Sequence, residues 1–189
     1  MMKAAIFLDR DGVICINRPG YVRSWEEFEF LPGALEAMRR LAEIDWPLVV
    51  VSNQSAVGRG LMRAEEVDEI NLRMVAQIRA AGGRVDAVYY CPHAPEDECD
   101  CRKPKPGLLL KAAADLGLAL ESSYLVGDAK SDIQAALAVG TRPILVLTGR
   151  GKKHIERMGD IDGHFEVADN LLEAVKLILL IAGSNLSRE

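Results

Sequence analysis

Two kinds of hydrophobic pattern alternate along the chain. Short runs that are apolar nearly throughout, at 4–8, 47–51, 85–90, 123–126 and 143–147, are separated by longer stretches in which apolar residues recur every three or four positions, at 33–44, 64–81, 106–117 and 131–140. Runs of the first kind mark strands buried on both faces, and the intervening periodicity is that of helices. Strand and helix in strict alternation predict an α/β fold, a three-layer α/β/α sandwich around a mainly parallel, Rossmann-like sheet. Val67, Ile70, Met74 and Ile78 form a core-facing stripe on the second long helix. Pro32 suits a first helical turn, and Gly117 and Gly140 suit left-handed helix ends. The last apolar stretch, from Leu171 to Gly183, contains Glu173 and Lys176 and is too short to span a bilayer. It reads as a packed terminal helix, followed by a disordered tail from about 184 to 189.

Composition changes this picture little. The 189 residues, 49% hydrophobic and 27% charged, are read as one domain, 1–189, without repeat or linker. A net charge of −5 argues against nucleic acid or an anionic membrane as partner, and a monomer is the default expectation. The N-terminus reaches two acids before any apolar region of useful length, so it is not a secretory signal and a cytoplasmic protein is expected. In that compartment the four cysteines are thiols rather than disulfides.

Candidate chemistry follows from strand ends. In an open parallel sheet, ligands bind where the carboxyl ends of the strands, the loops and the helix N-termini gather. The first strand ends in Asp9-Arg10-Asp11-Gly12, the second in Ser52-Asn53-Gln54-Ser55 and the fourth in Gly127-Asp128, while Arg102-Lys103 precedes the helix leading to that strand. An Asp-x-Asp-Gly alone suits an ordinary turn. Three acids predicted at one sheet edge are harder to assign to turns. Few, all-oxygen ligands point to Mg²⁺, with Asp9 and Asp128 as the natural side-chain donors. A carboxylate can attack phosphorus, and the dianion it approaches requires positive charge nearby, from the metal and from Lys103. Asp11, two residues on, is placed to exchange protons with the leaving group and the water. Ser52 can donate its hydroxyl to a phosphate oxygen, and backbone N–H groups around Arg10 can hold another.

A second metal is suggested by Cys91, His93, Cys99 and Cys101, three thiolates and an imidazole matching a closed structural zinc site. This loop, 91–103, runs directly into Arg102-Lys103 and would fix the lysine in place. Cys15 reads as a buried core residue, and His154 and His164 receive no role.

In this order, Asp9-x-Asp11-Gly12, Ser52, Lys103 and Gly127-Asp128 with Asp132 resemble the motifs of the haloacid dehalogenase (HAD) superfamily of phosphatases, across essentially the whole chain. The resemblance implies Asp9 as nucleophile, Asp11 as general acid/base and donor of a backbone carbonyl to Mg²⁺, Ser52 and Lys103 as phosphate stabilisers, and Asp128 as metal ligand. Asp132 would support the loop and Lys103. The intervals between motifs leave no room for a separate cap domain, so the site should be open, shaded by residues 15–28 and the zinc loop.

With the zinc loop, the segments DRDG, SNQSAVGRG and CDCRKPKPG are most similar to the heptose 1,7-bisphosphate 7-phosphatase family. That likeness implies a sugar phosphate substrate on the route to nucleotide-activated heptose for bacterial surface polysaccharide. It also implies a pocket lined by Arg10, Arg18, Gly20, Tyr21, Asn53, Gln54 and Ser55, with Arg102 as a bidentate donor to the second phosphate. The short zinc loop is also similar to that of histidinol-phosphate phosphatases, whose substrate ammonium would want an acid such as Glu26, Glu27 or Glu29. A third reading, from another class, is an inactive zinc-stabilised binding module.

Overall fold

The computed structural model describes residues 2–156, 158–159, 161 and 163–186, with side chains described as far as Ile181. Six strands, β1 (Ile6–Leu8), β2 (Leu48–Asn53), β3 (Ala87–Cys91), β4 (Tyr124–Gly127), β5 (Arg142–Val146) and β6 (Glu166–Ala168), form one sheet in the order 3-2-1-4-5-6, and every neighbouring pair is parallel. Ile6, Leu8, Leu48, Val50, Val126, Ile144 and Val146 pack into one apolar cluster with residues of α1 (Ala34–Leu41), α2 (Ala64–Ala80) and α6 (Leu171–Leu186). Ala5, Phe7, Val49, Val51 and Leu125 pack on the opposite side with α3 (Gly107–Leu116) and α4 (Lys130–Leu137). Alternate residues of a strand face opposite sides, so helices on both faces make the strand sequences apolar throughout. Complete burial of Ile6, Phe7 and Leu8 stabilises the fold by about 1.5–3 kcal/mol per side chain.

Two elements were not legible as patterns. β6 is a three-residue edge strand with two exposed residues, so it lacks the apolar run of a strand covered on both faces. α5 (Gly151–Ile155) is barely more than one turn and carries Lys152, Lys153 and His154. Pro32 lies in the turn before α1 rather than within its first turn, and Gly33, at φ 79°, leads into Ala34. Gly117 caps α3 at φ 67°, and Gly140 has φ 70°. α6 continues to Leu186, and residues 187–189 of the expected tail lie outside the described residues. Among the described residues no helix is long and apolar enough to cross a membrane.

β1 lies between β2 and β4, where the strand order reverses direction. A crevice opens at the carboxyl ends of strands at such a switch point. Asp9 follows β1 and Asp128 follows β4, which brings the first and last motifs to that crevice.

Candidate active site

Backbone hydrogen bonds fix the turn after β1. The Asp9 N–H donates to the Val126 carbonyl at 2.9 Å, Gly12 N–H to Cys15 O at 2.7 Å and Ile14 N–H to Arg10 O at 2.9 Å. Gly12, at φ 92°, lies against Asp128, and a Cβ there would collide with the carboxylate. Gly149, in the loop after β5, approaches the same carboxylate from another side, and the Arg150 N–H donates to Asp128 Oδ2 at 2.8 Å. The Thr148 hydroxyl ties this loop to the Gly12 carbonyl at 2.6 Å.

Asp9, Asp128 and Asp132 each bring a carboxylate oxygen to within 4.8 Å of the others. Lys103 is buried among them, with its Nζ 3.0 Å from Asp9 Oδ1, 2.6 Å from Asp132 Oδ1 and 2.8 Å from the Val51 carbonyl. Burial, with repulsion from Asp132 and Asp11 and against the pull of Lys103, pushes the Asp9 carboxyl up to about 6. Burial and the neighbouring Asp9 and Asp132 push Asp128 up to about 7. Burial disfavours the Lys103 ammonium, but Asp132 and Asp9 outweigh it and hold the group above the usual lysine range. Close, dry carboxylates with one ammonium are short of positive charge, and an all-oxygen donor set fits Mg²⁺. Asp132 is already engaged, because its second oxygen accepts the Ala129 N–H at 3.0 Å. Asp9 and Asp128 are therefore the side chains better placed to hold a cation.

Asp11 belongs to a separate network. Arg10, 1% exposed, donates Nη2 to both Asp11 oxygens, at 3.2 and 3.0 Å, and to Gln54 Oε1 at 2.9 Å, while Nη1 reaches Asn71 Oδ1 on α2 at 3.1 Å. Gln54 Nε2 donates to Asp11 Oδ2 and to Ser52 Oγ, each at 2.7 Å. The Cys15 thiol lies 3.4 Å from Asp11 Oδ1. The side chains of Arg10 and Gln54, expected in the substrate pocket, thus face inward and orient Asp11. Ser52 Oγ accepts from Gln54, which leaves its hydroxyl hydrogen free for a phosphate oxygen.

Asn53 clamps the lysine segment: its Nδ2 donates to Lys103 O at 3.0 Å and its Oδ1 accepts the Lys103 N–H at 3.1 Å. A cavity of about 280 Å³ is lined by Asp9, Asp11, Ser52, Asn53, Ser55, Arg102, Lys103, Asp128 and Arg150. Tyr21 lines it too and, with Arg18, a neighbouring hollow, whereas Gly20 is an exposed turn residue. Arg18 donates Nε to the Glu27 carbonyl at 2.6 Å and pairs with Glu29 at 3.6 Å.

The cysteine cluster is assembled beside this rim, since Cys91 ends β3 directly opposite Asn53 of β2. Its Sγ lies 3.5 Å from Cys99 and 3.1 Å from Cys101, and His93 Nδ1 lies 3.6 Å from Cys91 and 3.2 Å from Cys101. A tetrahedral zinc with sulfur arms of about 2.3 Å has sulfur–sulfur edges of about 3.8 Å, so the donors form a cage of the right scale. His154 Nδ1 accepts the Lys130 N–H at 3.1 Å, and His164 lies 3.0 Å from Glu166.

Sequence reading missed Asn71, Thr148 and Arg150. Asn71 lies on the buried face of α2 with Val67, Ile70, Met74 and Ile78, so the signal was a polar residue at a core-facing helical position. The Thr148-Gly149-Arg150 loop could have been found, because it follows β5 at the same edge as the other motifs.

Known proteins similar to this chain match it over most of its length. Residues 100–174 match the HAD-hydrolase-like family model. The D-glycero-beta-D-manno-heptose-1,7-bisphosphate 7-phosphatase of Pseudomonas putida is 41% identical over 152 residues, covering 80% of this chain and 87% of the relative. The Neisseria meningitidis enzyme of the same name is 37% identical over 175 residues, 92% of this chain and 94% of its own. The crystal structure of the B. bronchiseptica D,D-heptose 1,7-bisphosphate phosphatase, complexed with magnesium and phosphate, superposes with a TM-score of 0.89 at 38% identity, covering 95% of this chain and 99% of that one. The chain is a phosphatase and belongs to the D-glycero-β-D-manno-heptose-1,7-bisphosphate 7-phosphatase family of HAD-like hydrolases.

Proposed function

We propose that this phosphatase removes the 7-phosphate of D-glycero-D-manno-heptose 1,7-bisphosphate through an aspartyl phosphate on Asp9. The observation that carries the reading is the convergence of Asp9, Ser52, Lys103 and Asp128 on one cavity whose wall also bears Arg102, a cation beyond those the reacting phosphate needs. Asp9 attacks phosphorus while the Lys103 ammonium and the Ser52 hydroxyl hold the equatorial oxygens. Asp11, oriented by Arg10 and Gln54, protonates the leaving alkoxide and then takes a proton from the water that hydrolyses the acyl phosphate. When bound by Asp9, Asp128 and the Asp11 carbonyl, Mg²⁺ supplies the charge that lets a carboxylate approach a dianion. Glu26, Glu27 and Glu29 are not among the residues lining the cavity or the adjoining hollow, and Glu27 accepts the Arg23 N–H at 2.9 Å while Glu29 faces Arg18, which disfavours the ammonium of histidinol phosphate there. Family membership sets aside the inactive binding module.

We read the chain as a single capless unit. The turn Trp25–Glu27 and α1 fill the interval after β1, and α2 fills that after β2, with buried Met38, Leu41, Val67 and Ile70 tying both helices to the core. We take the chain as a monomer, and four cysteines without a disulfide, three of them gathered with His93, suit a reducing cytoplasm. The test is kcat/KM on heptose 1,7-bisphosphate against histidinol phosphate. The heptose should be preferred, and Arg102→Ala should narrow that preference by roughly tenfold, the size of one charge-assisted contact. Preference for histidinol phosphate would overturn the assignment.

The cysteine cage is read as a structural zinc site whose task is to present Lys103. Purified protein should contain about one zinc per chain, and Cys101→Ser should lose it. That variant should lower kcat by roughly 10–100-fold, as removal of supporting groups does, while leaving the sheet core folded. Full activity in a zinc-free variant would contradict the role.

A further inference from the structure

Arg150 is a cation at the mouth that the reaction above does not use. Its backbone is registered to the reacting centre, with its N–H on Asp128 Oδ2 and its loop tied to Gly12 by Thr148. Its side chain is exposed, makes no ion pair or side-chain hydrogen bond among the described residues, and lines both the catalytic cavity and the adjoining hollow shared with Asn17, Arg18 and Tyr21. The other two arginines are partly committed, Arg18 to Glu27 and Glu29, and Arg102 to the His93 carbonyl at 3.4 Å. By strand order Arg102 follows β3 and Arg150 follows β5, so they flank the nucleophile after β1 from opposite sides.

We propose that Arg150 is a specificity-determining residue, a second anchor for the non-reacting phosphate of a bisphosphorylated sugar, reaching it from the β5 side across the hollow it shares with Arg18. The proposal rests on the bisphosphate reading above. A guanidinium with its donors uncommitted offers a planar fork that matches two phosphate oxygens. Anchoring its backbone to Asp128 sets the distance between the two phosphate positions.

The experiment is the ratio of kcat/KM on heptose 1,7-bisphosphate to that on heptose 7-phosphate, for the wild type, Arg150→Ala and Arg150→Lys, with melting curves as the folding control. The alanine variant keeps the peptide N–H to Asp128. Its ratio should fall about tenfold, mainly through KM on the bisphosphate, and lysine, which keeps the charge without the fork, should fall between. An equal loss on both substrates would assign Arg150 to the support of Asp128 alone and overturn the proposal. A wild-type preference that Arg150→Ala retains would overturn it while leaving the bisphosphate reading standing. A wild-type ratio near one would overturn that reading and this proposal together.

Discussion

Asp9→Asn is expected to abolish Mg²⁺-dependent phosphate release, lowering kcat by at least about 10³-fold, in a protein that melts no lower than the wild type. Asparagine keeps the shape of the side chain and removes the nucleophilic oxygen. It also takes one negative charge out of a cluster in which burial and repulsion already disfavour ionisation, since the Asp9 carboxyl is pushed up to about 6. Lys103 keeps its contacts to Asp132 and to the Val51 carbonyl. Stability is therefore retained or increased in the metal-free protein, and a loss of activity can be assigned to chemistry. Undiminished turnover with purified variant would exclude Asp9 as nucleophile. A melting temperature well below that of the wild type would show that the charge balance around Lys103 has been misread.

How much of this was legible in the sequence depended on whether a position has one neighbour environment or several. The four inner strands, β2, β1, β4 and β5, are covered on both faces, and that requirement writes itself into continuous apolar runs such as Ile6–Leu8. The edge strand β6 is under no such requirement, and it left no pattern. At the site, Asp9 and Asp128 could be named because a strand end fixes where a side chain goes, and Lys103 because of its place in the order of the motifs, ahead of the helix that leads to β4. Arg10 and Gln54 lie in the same motifs, yet their side chains turn inward. Which way a loop residue turns depends on Asn71, sixty-one positions away in sequence, and a motif read one residue at a time does not contain it. Asn53 is a similar case, since its amide closes a reciprocal pair with the backbone of Lys103 across two loops.

Lys103→Met should have the other large effect, on two quantities at once. Methionine approximates the length and volume of lysine, so the buried slot stays filled while Asp9 and Asp132 lose their shared cation. Removing one partner of a buried ionic cluster costs about 3–5 kcal/mol, and the metal-free variant should be destabilised by that amount near neutral pH. Loss of a donor aimed at the phosphate should lower kcat by about 10²–10³-fold. The stability deficit should depend on pH in a direction the site dictates. Carboxyls whose folded values lie above their unfolded ones, Asp9 at about 6 and Asp128 at about 7, add stability when protonated and lose it as pH rises through those values. Without the ammonium their repulsion is stronger, so the deficit should be largest above about pH 7 and narrow towards about pH 5. Added Mg²⁺ should recover more melting temperature in this variant than in the wild type, because the same carboxylates now carry one more uncompensated charge for the cation to bind. Denaturant unfolding of the two metal-free proteins across this pH range, repeated with Mg²⁺, measures all of it. A pH-independent deficit would place the cost in packing rather than charge, and it would remove Lys103 from the electrostatic centre of the site.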